Sequence, residues 1–320
     1  TFTDVTIAGI ETSLFGDEGL KKDIGVMPLE IMDVNRDGLD DLVVVQVTES
    51  DQWEIATFFA PLSPFYTLTQ ADHIGTVEVG PVNSGSRTSL SSLQTEAHPV
   101  AELLIGNPNR TNASGYTNAG GFKVLEFDNQ TQMWNTTQDV TGYQSNHYFG
   151  EQAESAGDTN GDGITDFVLL SSSTITLDPF GQATSAKRGT VSLYTDRTPY
   201  PNTTIISDVF YRRIANQFAG QGDYNGDGYD DLAFSAEDSY VQQQLAGRTH
   251  IVWGPLDAGV IDIIDLKRTI LVGFQPDMDA DCPVSVGDVN GDGADDLLIG
   301  APGFKPDPDQ PARGSAFLWF

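Results

Sequence analysis

The 320-residue sequence predicts an all-β fold, a β-propeller of five four-stranded blades. Three observations predict it. An acidic nine-residue loop occurs four times, each copy runs directly into a short apolar strand, and the copies are spaced 65 residues apart or about twice that. Repeats of this length with several strands each are the signature of propeller blades.

The four loops are Asp33–Asp41, Asp158–Asp166, Asp223–Asp231 and Asp288–Asp296. Side-chain oxygens fall at loop positions 1, 3, 5 and 9. These are Asp33, Asn35, Asp37 and Asp41; Asp158, Asn160, Asp162 and Asp166; Asp223, Asn225, Asp227 and Asp231; and Asp288, Asn290, Asp292 and Asp296. Position 6 is Gly38, Gly163, Gly228 or Gly293, the residue type that permits the sharp turn such a coil needs. Hard oxygen donors at this density suit Ca2+ better than zinc or copper, which favour nitrogen and sulfur. Four Ca2+ sites are therefore expected. An EF-hand shares the first half of this pattern but continues to a Glu at position 12 and then a helix. Position 12 here is Val44, Leu169, Phe234 or Ile299, each inside an apolar run that reads as a buried strand.

The loop starts leave gaps of 125, 65 and 65 residues, so a decayed copy is expected near residue 95. Leu103-Leu-Ile-Gly-Asn-Pro108 matches Leu297-Leu-Ile-Gly-Ala-Pro302 at all but one place. Aligned on that match, positions 1, 3, 5 and 9 become Gln94, Glu96, His98 and Glu102, with Pro99 in place of Gly. This repeat keeps its strand and loses its metal. A further strand follows each loop: Glu54–Phe59, Phe122–Phe127, Thr190–Thr195, Thr249–Gly254 and Ser315–Phe320. A less regular one comes after it, such as Ile261–Asp265. The last unit stops at its third strand, and Thr1–Ala8 opens the chain with an alternating strand. The expectation is one domain over 1–320, with blades at about 11–80, 81–144, 145–210, 211–273, and 274–320 plus 1–10. In that reading the N-terminal strand completes the last blade and leaves no free edge.

Composition limits the function classes. The net charge is −30, and the four loops hold 15 of the 46 acidic residues. Eight positive charges from four Ca2+ would leave about −22, a surface that repels nucleic acid and anionic lipid. No apolar run is long enough to span a membrane. Cys282 is the single cysteine, so no intrachain disulfide forms. Loops of modest affinity fill where calcium is millimolar, which points to a secreted, extracellular or cell-surface setting, and Thr1 fits a processed N-terminus.

These loops resemble the FG-GAP repeats of the integrin α-subunit propeller and its relatives. Phe149-Gly150 resembles the FG element, Gly300-Ala-Pro302 the GAP element, and Gly106-Asn-Pro108 a weaker version of it. Ile214-Ala215 stands where the fourth repeat would carry Phe-Gly. Integrin-type rings have seven blades, whereas this length fits five. The resemblance implies a propeller whose calcium ions are structural and sit on one face, with ligands on the other face or the rim. The backbone carbonyls of Leu39, Ile164, Tyr229 and Ala294 at position 7 complete each shell.

No catalytic residues are assigned. His73, His98, His147 and His250 are scattered, and no metalloprotease, nucleophile-elbow or phosphate-loop motif occurs. His147 and Tyr148 form the one pair that could act as base and acid on a polysaccharide. Cys282 reads as a packed residue. Asn109, Asn112, Asn129, Asn135 and Asn202 head N-x-S/T sequons, as in a glycoprotein. Tyr116, Trp134, Tyr143, Tyr148 and Tyr200 read as loop aromatics able to stack on a sugar or anchor a protein. The chain is thus expected to be a lectin-like binding or adhesion module for a glycan or an extracellular protein. A polysaccharide lyase or hydrolase is the second reading. A self-assembling subunit of a surface layer or filament is the third.

Overall fold

The computed structural model describes residues 6–8, 29–47, 53–62, 65–67, 71–77, 89–94, 100–143, 145–177, 183–206, 213–237, 240–241, 244–307 and 311–320. Among them there is no α-helix. The single helical turn is the 3-10 segment Ile263–Asp265, whose first turn is capped by the Asp262 side chain.

Among the described residues, five sheets of three to five strands follow one another, beside two two-stranded pairs. Sheet 1 comprises Leu29–Met32, Asp41–Val47, Trp53–Phe58 and His73–Val77, all antiparallel. Sheet 2 comprises Ser89–Ser92, Glu102–Gly106, Gly121–Asp128 and Met133–Thr141. Sheet 3 comprises Gln152–Gly157, Asp166–Leu177, Ala183–Tyr194 and Thr203–Ile206. Sheet 4 comprises Arg213–Gly222, Asp231–Glu237, Arg248–Val252 and Arg268–Val272. Sheet 5 has three strands, Cys282–Gly287, Asp296–Ala301 and Ser315–Trp319. In sheets 1, 3, 4 and 5 an acidic loop joins the first strand to the second, where the sequence places it.

The apolar runs after the loops are continuous because each inner sheet is buried on both faces. Residues alternate across a strand, so neighbours feed different cores. In the second strand of sheet 3, Phe167 and Leu169 pack with Leu104 and Phe122 of sheet 2. Val168 and Leu170 pack the other way, with Leu232 and Phe234 of sheet 4. The same division gives a core between sheets 1 and 2 around Val43, Ile55, Leu103 and Phe127, and one between sheets 4 and 5 around Ala233, Ile251, Leu297 and Ile299. Consecutive sheets are therefore stacked face to face. Their first strands pack against one another in chain order. Together those five first strands line one polar cavity of about 590 Å³, which Glu30, Ser92, Glu154, Gln221 and Ser285 face.

Two expectations about strand partners are corrected. Thr6–Ala8 does not complete sheet 5; it pairs in parallel with Phe65–Thr67, with Ile7 opposite Tyr66. A three-residue alternating strand carries no information on which open edge it joins. The run around Ile261 is not the outer strand of sheet 4, which is Arg268–Val272 paired with Arg248–Val252. Gly259–Asp262 instead adds in parallel to Thr203–Ile206, making sheet 3 five-stranded. The decayed loop residues Glu96, His98 and Pro99 and the chain opening around Thr1 lie outside the described residues.

Candidate metal centres

Each acidic loop is a coil of backbone held from within by its own side chains. The first-position carboxylate accepts two or three loop N–H groups: Asp288 takes Gly291 N at 2.6 Å, Asp292 N at 3.1 Å and Gly293 N at 2.9 Å. Asp33, Asp158 and Asp223 do the same in their loops. At position 3 the carbonyl oxygens of Asn35, Asn160 and Asn290 accept the N–H of position 5. At position 5, Asp37, Asp162, Asp227 and Asp292 accept the N–H of Leu39, Ile164, Tyr229 and Ala294. The last pattern turns the position-7 residue back over the coil. The coil closes only with left-handed backbone at positions 4 and 6. Gly38 has φ of +85° and Gly293 +95°, whereas Arg36 takes +64° at position 4, where the other loops have glycine.

Position 9 behaves differently. Asp41, Asp166 and Asp231 are 0 % exposed and Asp296 is 1 % exposed. Each accepts the N–H of position 2 at 2.9–3.0 Å (Val34, Thr159, Tyr224 and Val289), tying the loop's end to its beginning. Asp41 and Asp231 also take Ala60 N and Gly254 N from beyond the third strand. Asp166 Oδ1 is buried with no hydrogen-bond partner. Burial pushes the Asp166 and Asp231 carboxyls up to about 7, and neighbouring loop carboxylates add to the rise. Carboxylate oxygens have roughly two acceptor sites each, so accepting one N–H leaves capacity for a cation. Surplus buried negative charge beside an orphaned oxygen suits a hard divalent ion. Among the described residues, however, no three carboxylate, imidazole or thiol groups converge closely enough to hold an ion by themselves. The expected donor set includes an amide at position 3 and a carbonyl at position 7, and the position-9 carboxylate accepts backbone N–H groups.

Position 8, which is not a ligand position of the motif, links one loop to the next. Asp158 N donates to Asp230 Oδ2 at 2.6 Å, and Asp230 N donates back to the Asp158 carbonyl at 3.1 Å. Asp223 and Asp295 repeat this at 3.0 and 2.9 Å. Gly157 serves this junction, because a Cβ there would overlap the Asp230 carboxylate. In the decayed repeat, Gln94 Nε2 instead donates to the Asp33 carbonyl at 2.7 Å.

The Phe149-Gly150 element works by close approach. The Phe149 ring packs edge-on against Phe122 at 6.0 Å, and a Cβ on Gly150 would overlap the Gly121 carbonyl. Gly106, the glycine of the weaker GAP element, lies against the Gly150 carbonyl. The two elements are thus the two sides of one sheet-to-sheet contact.

The remaining candidates are placed as follows. His147 is 8 % exposed, stacks on Phe149 at 5.8 Å, and is held below the usual histidine range by burial. His250 is buried against Phe234 and pushed down to about 4 by burial, with Arg268 and Arg248 adding to the shift. Burial, with Asp281 beside it, pushes the Cys282 thiol up to about 11. Tyr143, Tyr200 and Tyr116 are exposed, and Tyr148 is half-buried. Trp134 is corrected: it lies in a strand, is 8 % exposed, and donates from Nε1 to Thr57 Oγ1 of sheet 1 at 3.1 Å. Of the sequon residues, Asn129 and Asn135 are exposed and Asn109, Asn112 and Asn202 are half-buried.

Residues 284–318, which span most of sheet 5 and its loop, match the family model of the FG-GAP repeat. The resemblance read from the loops holds over that stretch. No curated protein matches the chain. Among the described residues no helix is long and apolar enough to cross a membrane.

Proposed function

We propose that this chain is a calcium-stabilised β-propeller that acts outside the cell as a binding or adhesion module for a glycan or a protein. The observation that carries the reading is the fourfold repetition of one oxygen-rich coil with a buried closing carboxylate, placed between the first two strands of sheets whose first strands line a common cavity. Calcium would be held by the oxygens at positions 1, 3, 5 and 9 and by the carbonyl at position 7. Its chemistry there is charge neutralisation and cross-linking of the coil, and every oxygen assigned to it comes from the protein.

Closure of the ring from five blades is part of the proposal. Sheet 5 leaves Val284, Leu318 and Phe320 exposed, and sheet 1 leaves Leu29 and Ile31 exposed. Packing these apolar faces together buries both. Small-angle X-ray scattering should give a radius of gyration of about 20 Å, as for any compact domain of this length. A value well above that in calcium removes the closed ring.

The ligand surface proposed is the end of the sheets opposite the acidic loops. There Tyr116 and Tyr143 project from two loops joined by Asn112 Nδ2 donating to the Gly142 carbonyl at 2.9 Å and Asn118 Nδ2 donating to Asn146 Oδ1 at 3.1 Å. Exposed aromatics with a polar tip suit sugar faces and protein anchors alike. Binding to a panel of glycans and polysaccharides in calcium, with the same wells assayed for released reducing ends, is the test. Saturable binding without cleavage, lost in Tyr143→Ala, is the expected result. Cleavage products would move the assignment to an enzyme.

A further inference from the structure

We infer that Asp230 and Asp295 are positioning residues that couple the 158, 223 and 288 loops, so that an ion in one raises the affinity of the next. The inference rests on the calcium reading above and adds to it an order among the sites.

Neither residue occupies a ligand position of the motif, yet each forms the same reciprocal pair of hydrogen bonds. Asp230 grips the N–H and carbonyl of Asp158, the first donor of the preceding loop, and Asp295 grips those of Asp223. Each is followed directly by the closing donor of its own loop, Asp231 or Asp296. One dipeptide therefore belongs to two sites at once. Its second residue closes its own coil, and its first fixes where the neighbouring coil begins. The contact is reinforced above the pair. A Cβ on Gly161, at position 4 of the 158 loop, would lie 2.8 Å from the Tyr229 ring at position 7 of the 223 loop.

An empty acidic coil repels itself, and filling it removes conformations in which Asp231 or Asp296 strays from the ion. The same ordering holds Asp230 or Asp295 at its partner's backbone, so the neighbour binds with part of its ordering already done. Direct repulsion between two bound ions opposes this. It is weakened by screening once they are about a Debye length of 8 Å apart, whereas the bonded route is not. Coupling of this kind is reciprocal and typically amounts to roughly 5–150-fold in affinity. The 33 loop stands outside the chain of coupling. The decayed repeat has Ala101 at position 8, and the Asp33 carbonyl is held by the Gln94 amide, which no ion controls.

The test is a calcium titration of the full chain followed by hydrogen exchange of peptides covering each loop. In the parent protein the 158, 223 and 288 loops should gain protection over one narrow calcium range, with the 33 loop on its own curve. Asp292→Ala, which removes a donor of the 288 loop, should shift the 223 and 158 loops to about tenfold higher calcium and leave the 33 loop in place. Asp230→Ala should separate the 158 loop from the 223 loop, and Asp230→Asn, which keeps an acceptor for Asp158 N, should restore their coincidence. Simple loss of packing would not be rescued in this way. If Asp230→Ala does not fold, Asp295→Ala asks the same question one junction further on. Unshifted 223 and 158 loops in Asp292→Ala, or parent-like curves in Asp230→Ala and Asp295→Ala, overturn the coupling. Loops that gain no protection at any calcium concentration overturn the calcium reading itself.

Discussion

The Arg197 guanidinium donates to Glu102 Oε2 at 2.7 Å and to the Thr165 carbonyl at 2.9 Å, joining the decayed second repeat to the 158 loop of the third. Glu102 occupies position 9, where the intact loops carry Asp41, Asp166, Asp231 and Asp296. Its side chain is 8 % exposed and needs a cation. Arg197, lying 5.6 Å from the Phe167 ring centre, supplies one covalently. Arg197→Ala is expected to cost about 2–3 kcal/mol, less than a fully buried pair because the arginine is partly exposed. The loss should be equal in calcium and in chelator by thermal melting. A loss seen only in calcium would separate this pair from the role given to it.

Chelation should lower stability throughout sheets 1, 3, 4 and 5. At a calcium concentration ten times Kd, each filled loop contributes about 1.4 kcal/mol. The melting temperature should therefore fall clearly in EGTA, and Asp292→Ala should lose part of that response. A parent protein that melts identically in calcium and EGTA contradicts four structural sites.

Glu154 and Glu30 face the cavity lined by the first strands, and burial pushes both carboxyls up to about 7 from 4.5, with Glu30 adding to the shift at Glu154. A folded-state pKa above the unfolded one means the folded protein binds more protons between about pH 4.5 and 7. The stabilising contribution is full below that window and is lost as pH rises through it. Glu154→Gln keeps the uncharged shape and should be more stable than the parent at pH 8 by about 1–2 kcal/mol, allowing for contact with the cavity. The difference should vanish near pH 4. Denaturant melts of both proteins across that range decide it, and equal stability at pH 8 rejects the assignment.

If the chain passes through a glycosylating secretory route, Asn129 and Asn135 should carry the sugar. They are exposed on the Gly121–Asp128 to Met133–Thr141 hairpin. Asn112 instead spends its amide on the Gly142 carbonyl, and Asn202 donates to Asp196 while accepting Thr195 N. Peptide mapping by mass spectrometry should find those two asparagines unmodified. Full occupancy at Asn112 would mean that its loop opens.

What was legible in the sequence is what is local. An acidic coil with glycine at position 6 and an apolar run after it are fixed within about a dozen residues, so all four loops and the strands behind them stand where they were expected. Partners separated by a whole repeat were not legible. Nothing around Asp230 marks its bond to Asp158, because a second aspartate before the closing one reads as one more surface charge. Trp134 stands between Met133 and Asn135 in a stretch of Asn, Gln and Thr that reads as a loop, but strand alternation turns it towards Thr57. Gly259–Asp262 and Thr6–Ala8 are too short for their patterns to name an edge. In each case local sequence sets the element, and the approach of another repeat decides its use.

The parallel ribbon of Thr203–Ile206 on Gly259–Asp262 has a mechanical consequence. Its hydrogen bonds bridge a strand that leads into sheet 4 and a strand that emerges from it, so the polypeptide between them forms a clasp. Tension drawing sheets 3 and 4 apart along the strand direction loads the four residue pairs of this ribbon together in shear, rather than peeling them one at a time. The two sheets should then yield to pulling as a single unit.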